Sequence, residues 1–361
     1  MPRADAAARW VRPEIQALSA YHVPPAAGLI KLDAMENPYG WPEAMTAAWL
    51  ERLRAVEMNR YPDPSAGELK AALRRELELP QSAGLLLGNG SDELIQMIAL
   101  ALSGPDRVVL APEPSFVMYR MIAVFAGMRY VGVPLRDGDF ALDRAAMLAA
   151  IAAEQPAVVF LAYPNNPTGN LFGSADLDAL LEAAPGLVVV DEAYAPFAEA
   201  SCLELLGRHP NLVVMRTLSK LGLAGLRLGL LAGAPAWLDQ FEKLRLPYNV
   251  GVLNQVSAAF ALEHAAVFAE QTARIRAERG RLQAALAALP GLTAYPSRAN
   301  FILLRVPPGR ARELHAALRD AGVLVKLLDG AGPQLADCLR VTVGRPDEND
   351  AFLAALRLGL D

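Results

Sequence analysis

Leu187-Val188-Val189-Val190-Asp191-Glu192-Ala193-Tyr194 is the stretch on which the fold class turns. Its unbroken apolar run reads as a strand buried on both faces, as in a parallel sheet. An aspartate ending such a strand costs several kcal/mol, on the order of a buried unpaired charge, if nothing meets it. Two readings of Asp191 are open. It caps the next segment as a helix N-cap, or it is a buried carboxylate facing a protonated ring nitrogen of a cofactor that acts as an electron sink.

A second strand-like run, Leu212 to Met215, leads into Thr217-Leu218-Ser219-Lys220 and then Gly222-Leu223-Ala224-Gly225-Leu226-Arg227. Read alone, Lys220 is an ordinary loop lysine. Burial and cationic neighbours would make it a neutral amine able to form a Schiff base. A third run, Ala157 to Ala162, precedes Tyr163-Pro164-Asn165-Asn166-Pro167-Thr168-Gly169, whose prolines and glycine make a turn. Asn166 then lies at the carboxyl edge of a buried strand, where open α/β sheets bind ligands, and its amide could donate to a phenolate oxygen.

Gly88-Asn89-Gly90-Ser91-Asp92-Glu93 opens the helical pattern Leu94, Met97, Ile98, Leu102. Glycines before a helix let backbone amides converge on an anion. Ser91 is equally a helix cap with two acids in the first turn. The spacing is not a dinucleotide fingerprint: the third glycine is missing, and no apolar strand of usual length clearly precedes it. Arg227 would add a bidentate phosphate partner.

These four segments resemble the fold-type I pyridoxal-phosphate aminotransferases over nearly the whole chain, and within them the histidinol-phosphate aminotransferase family. Further marks are Tyr21 before Val23-Pro24, Glu36-Asn37-Pro38-Tyr39-Gly40, Arg60-Tyr61-Pro62-Asp63-Pro64 and Cys338-Leu339-Arg340-Val341-Thr342-Val343-Gly344. The resemblance implies pyridoxal 5′-phosphate held by Lys220, which also moves the substrate proton, with Asp191 on the ring nitrogen and Asn166 and Tyr194 on the phenolic oxygen. It implies Tyr119 stacked on the ring. Ser91, Asp92, Thr217, Ser219 and Arg227 would surround the cofactor phosphate, and Tyr61 would reach it from a second subunit, making a homodimer with shared sites. Lys220 to Arg227 is one residue shorter than in many relatives.

At the substrate end the resemblance implies Arg340 on the substrate phosphate, with Lys326, Tyr21 and Asn37 as further contacts. Lys326 is equally a solvated strand-end lysine, and Tyr21 a packing residue of the N-terminal arm. The implied reaction is transamination between L-histidinol phosphate and 2-oxoglutarate, giving imidazole-acetol phosphate and L-glutamate in histidine biosynthesis. Rival readings on the same scaffold are a threonine-phosphate decarboxylase, an aromatic or broad-specificity aminotransferase, and a non-catalytic ligand sensor.

With 361 residues and 53% hydrophobic content, the chain can bury a large core in two or three units. A net charge of -5 argues against nucleic acid as the main partner. Arg3, Arg9 and Arg12 hint at a transit peptide, but Asp5 and Glu14 break the pattern, leaving an amphipathic arm. No apolar run nears the roughly 18 residues of a spanning helix. Two cysteines and four unpaired histidines supply neither a disulfide framework nor a metal site, and a reducing cytoplasm follows. The resemblance implies a small-molecule amino donor and a 2-oxo acid as partners, and composition argues against nucleic acid, membrane or metal.

Strand and helix signals alternate from about residue 67 to 246, the pattern of a mainly parallel sheet covered on both faces. The resemblance implies seven strands in it. A proline-free helical stretch from about Gly251 to Leu289, straight or bent, bridges to a smaller α+β unit. The domain plan is residues 1–30 as an arm packing with the small unit, 31–250 as the cofactor domain, and 251–361 as bridging helix and small domain.

Overall fold

The computed structural model describes residues 4–20 and 23–360. In chain order its strands are β1 (Ile30–Leu32), β2 (Gly84–Gly88), β3 (Val108–Glu113), β4 (Arg129–Pro134), β5 (Val158–Ala162) and β6 (Leu187–Asp191). There follow β7 (Leu212–Thr217), β8 (Gly229–Gly233), β9 (Thr293–Ala294), β10 (Phe301–Arg305), β11 (Val323–Leu327) and β12 (Cys338–Thr342). Seven of these form the large sheet, in the order β2-β8-β7-β6-β5-β3-β4. Strands β3 to β7 run parallel, while β8 is antiparallel to both its neighbours.

The continuous apolar runs explain this sheet. Leu187, Val188, Val189 and Val190 are each 0% exposed, with helices on both faces. Full burial of each such side chain contributes roughly 1.5–3 kcal/mol. The central strands can therefore sit nowhere but the middle of the domain. Strand β3 has β4 on one side and β5 on the other, so the chain reverses its winding between β3 and β5. A crevice opens at such a reversal, beyond the carboxyl ends of the strands.

The small sheet runs β1-β11-β12-β10-β9 around its own core, which includes Phe301, Leu304, Val341 and Phe352. Residues 30–32 pair in parallel with Val323–Val325, so both ends of the chain contribute to this sheet. The helical start of the arm departs from the expected packing on the small unit. Arg12 Nη2 instead donates to the carbonyl of Phe125, 2.6 Å away, in the large domain. That carbonyl belongs to the C-terminal turn of the helix Met118–Phe125, which lacks intrahelical partners and attracts a cation.

One other expectation needs correction, and one left open is decided. A strand does precede Gly88: β2, in which Leu85, Leu86 and Leu87 pair with Ala232, Leu231 and Leu230 of β8. Its three leucines between glycines carry little strand signal by themselves, and the partner strand supplies what propensity does not. The bridging stretch is two helices, Val252–Glu263 and Ala265–Ala287, meeting at 76° around His264. No single helix among the described residues is long and apolar enough to cross a membrane.

Strand β8 passes close under the turn that follows β2. A Cβ at Gly229 would stand 2.7 Å from Gly90 C and from Ser91 N, both backbone atoms with no freedom to move aside. Gly229→Ala is thus expected to lower unfolding stability by about 1–3 kcal/mol in urea titration. Gly225→Ala, whose Cβ meets nothing within 4 Å, is the matched comparison and leaves the midpoint in place.

Candidate active site

Strands β5, β6 and β7 end side by side. Asp191 is the last residue of β6, opposite Met215 of β7 and Ala162 of β5. Five residues beyond Met215 comes Lys220, in the 3-10 turn Ser219–Leu221; Asn166 follows four residues after Ala162. Around these ends lies a cavity of about 120 Å³, walled by Asn166, Asp191, Tyr194, Thr217, Ser219, Lys220, Ser91, Asp92, Arg227, Phe116 and Met35. The structure thus gathers residues from 35 to 227 into one chamber.

Lys220 Nζ donates to Ala34 O at 3.1 Å and stands 5.9 Å from the Tyr194 ring centre. Burial, then the charges of Arg340 and Arg227, push its pKa down to about 8, against the pull of Glu36 and Asp92. A neutral amine is therefore about a tenth of the population at pH 7 and the major form above about pH 8. The notion of an ordinary exposed loop lysine does not fit this environment.

Asp191 is 4% exposed and caps no helix, because the turn Ala195–Phe197 begins after Tyr194. Its Oδ1 accepts from Ala193 N at 3.1 Å and its Oδ2 from Tyr119 Oη at 2.7 Å. Burial drives its carboxyl pKa up to about 6, with the Tyr119 and Ala193 hydrogen bonds opposing and the charges of Asp92 and Glu192 adding to the rise. The neighbouring Glu192 is held differently. Its Oε2 accepts from Arg216 Nε at 2.9 Å and Nη2 at 2.7 Å. No Lys or Arg nitrogen among the described residues lies within ion-pair distance of Asp191.

The expectation that Tyr119 stacks on a bound ring is corrected here. Tyr119 is 1% exposed, stacked on Phe160 at 4.7 Å behind Asp191, and does not line the cavity. Phe116 does line it. It starts the turn one residue before Val117, so its ring clears the helix that buries Tyr119. Asn165 fixes this loop through Nδ2 to Pro114 O at 2.9 Å, and Ser115 Oγ donates to Asn165 Oδ1 at 2.8 Å. The Pro-Ser-Phe turn directly after β3 was the available signal for Phe116.

At the far end, Ser91 is the first residue of the helix Ser91–Leu102, and Gly90, at φ +86°, takes the cap position expected for Ser91. A Cβ at Gly90 would stand 2.7 Å from Arg227 Nη2, so bare backbone leaves room before the guanidinium. Arg227 Nη2 lies 3.8 Å from Asp92 Oδ2. Thr217 Oγ1 donates to Ser219 Oγ at 2.9 Å and accepts from Ser219 N at 3.1 Å, tying the turn to the strand end. First-turn amides, two hydroxyls and a guanidinium together can hold an anion here.

Asn166 joins the chamber to the small domain. Its Nδ2 donates to Tyr194 Oη at 3.2 Å, and its Oδ1 accepts from Arg340 Nη1. Arg340 Nη2 donates to Asp33 O at 3.1 Å. In the register of β11 and β12, Lys326 stands opposite Arg340, so both leave the same face of the small sheet. Asn37 sits outside the chamber; its Nδ2 donates to Leu221 O and to Gln271 Oε1, each at 2.9 Å, bracing the lysine turn. Tyr61 lies away from this chamber, 79% exposed and stacked on Tyr248 at 4.3 Å. Tyr21 lies outside the described residues.

A family description, aminotransferase class I and II, matches residues 27–356. The chain is 59% identical over 355 residues to histidinol-phosphate aminotransferase 2 of Nitrosococcus oceani, covering 98% of each. It is 56% identical over 347 residues to the histidinol-phosphate aminotransferase of Chromobacterium violaceum, covering 96% of this chain and 97% of that one. The solved histidinol-phosphate aminotransferase of Sinorhizobium meliloti, in complex with pyridoxal-5′-phosphate, superimposes with a TM-score of 0.85 at 27% identity, covering 97% of both chains. An L-threonine-O-3-phosphate decarboxylase from Porphyromonas gingivalis gives 0.78 at 25%, covering 91% of this chain and 99% of that one.

The lowered amine pKa has a stability consequence whose sign is definite. The unfolded chain holds the Lys220 proton up to about pH 10.5, the folded chain only to about 8. Stability therefore rises between those values, and below them the folded apoprotein bears a cost of roughly 3 kcal/mol. Lys220→Met is expected to raise the thermal midpoint of cofactor-free protein at pH 7, with most of the advantage gone by about pH 10.5. An advantage independent of pH would disprove the assigned cause.

Proposed function

The chain belongs to the class I and II aminotransferase family, and from that premise we propose that it transfers the amino group of L-histidinol phosphate to 2-oxoglutarate. It is a pyridoxal-phosphate enzyme, and the products are imidazole-acetol phosphate and L-glutamate, within histidine biosynthesis. One observation carries the site assignment: Asp191 is a buried carboxylate with hydrogen-bond donors but, among the described residues, no bonded cation, next to a Glu192 that has one. Buried carboxylates are ordinarily paired. A cationic ring nitrogen entering the chamber would be the missing partner.

The remaining groups fit the same cofactor. Lys220 would hold its aldehyde carbon, Asn166 and Tyr194 its phenolic oxygen, and Phe116 would cover the ring. Its phosphate would take the Ser91 and Asp92 amides, the Thr217 and Ser219 hydroxyls and Arg227. Bound there, pyridoxal 5′-phosphate supplies an electron-withdrawing ring that stabilises negative charge on the carbon bearing the amino group. Asp191 keeps that ring cationic.

Lys220 Nζ then does the proton work. With its pKa near 8, it can take the donor's α-proton and give it back. The Ala34 carbonyl holds the amine in place when it is not engaged. Arg340, fixed by Asn166 and the Asp33 carbonyl, and Lys326 beside it offer two cations to the substrate phosphate. We further propose a homodimer in the cytoplasm, with the exposed Tyr61 reaching the partner's cofactor phosphate.

The assignment is tested by incubating purified protein with histidinol phosphate and 2-oxoglutarate and following glutamate. Steady formation is expected. No glutamate, with carbon dioxide released from O-phosphothreonine instead, would transfer the chain to the decarboxylases. Lys326→Ala is expected to raise KM for histidinol phosphate about tenfold while leaving that for glutamate within about twofold, because a charge-assisted contact is lost on one substrate only.

A further inference from the structure

We propose that Tyr119 is a positioning residue that keeps Asp191 ionised and aimed into the chamber, and that its phenol performs this through the single hydrogen bond to Oδ2. The proposal rests on the reading of Asp191 given above. It concerns a residue that touches neither cofactor nor substrate.

The geometry is unusually constrained. Tyr119 lies in the helix Met118–Phe125 and is stacked on Phe160 of β5 at 4.7 Å and 10°. Phe116 meets it edge-on, at 5.5 Å and 86°. With the ring packed in this way, its hydroxyl points at Asp191, 2.7 Å away. A buried phenol needs a partner, and a carboxylate is a strong one. Phe116 is the aromatic wall of the chamber, so the same ring braces both that wall and the acid.

The charges around Asp191 show why the hydroxyl matters. Burial, Asp92 at the start of the helix Ser91–Leu102, and Glu192 next in the chain all favour the protonated acid. Tyr194, on the turn that follows, adds a phenol beside Tyr119. Against these stand the Tyr119 hydroxyl and the Ala193 amide. Each donor occupies one oxygen from the protein side and leaves that oxygen a lone pair for the chamber. With the carboxyl already raised to about 6, losing the stronger donor carries protonation into the working pH range. A protonated Asp191 cannot hold a cationic ring nitrogen.

The test is Tyr119→Phe in the full chain, which keeps both ring contacts and removes one oxygen. Pyridoxal 5′-phosphate affinity of the cofactor-free protein is measured from about pH 5 to about pH 9, with Asp191→Asn alongside. Expected for Tyr119→Phe is an acid limb moved to higher pH, affinity near pH 6 lowered about tenfold, and the difference closing at about pH 9. In the holoenzyme, kcat falls about tenfold while both KM values stay within about twofold. If Asp191→Asn removes the limb and Tyr119→Phe leaves it unmoved, the Tyr119 proposal fails alone, whatever happens to the thermal midpoint. If Asp191→Asn itself leaves the limb intact, the reading of Asp191 fails and takes this one with it.

Discussion

The parallel pairing of β6 with β7 is the constraint from which the rest of the molecule follows. Its register sets Asp191 opposite Met215, so the acid ending one strand and the amine five residues past the other open on the same chamber. Strand β6 is buried throughout and β7 everywhere but at Arg216, which removes water from the two groups at once. The same burial acts oppositely on them: it raises the carboxyl to about 6 and lowers the amine to about 8. Each is thereby brought nearer to neutral pH.

Neither group is held by the sheet alone. The segment after β1 lies across the top of the chamber, anchored by Met35 N on Thr342 Oγ1 at 2.9 Å and by Asn300 Nδ2 on Met35 O at 3.0 Å. From there Ala34 reaches Lys220 and Asn37 reaches the turn behind it. Arg340 closes the loop by bonding Asp33 and Asn166 together. A short strap therefore couples the small sheet to the lysine, and the site is completed only where two cores meet.

Some features were plain from residues that can mean little else. Val188 to Val190 belong in a doubly covered sheet because no other place buries them. Gly88-Asn89-Gly90 before a helix marks a place for an anion because the first-turn amides that follow it have no intrahelical partner. Other features were hidden by near-equivalence. Phe116 and Tyr119 are aromatics three residues apart on one motif, and only the start of the helix at Met118 decides which one faces the chamber. Strand β2 was obscured because three leucines serve a helix as well as a strand, until β8 supplies the pairing. His264 breaks a long helical pattern that contains neither proline nor glycine at that point.

The sequence by itself determined the sheet, the strand ends that carry Lys220, Asp191 and Asn166, and the family to which those motifs resemble. These are local or periodic properties, readable because burial and turn chemistry act on neighbours along the chain. Tertiary structure alone decided that Tyr119 stands behind Asp191, that Arg216 pairs with Glu192 rather than with Asp191, and that Lys326 lies beside Arg340. Those are contacts between residues 14 to 72 positions apart. Distance, dielectric and hydrogen-bond partnership exist only once the chain has closed on itself.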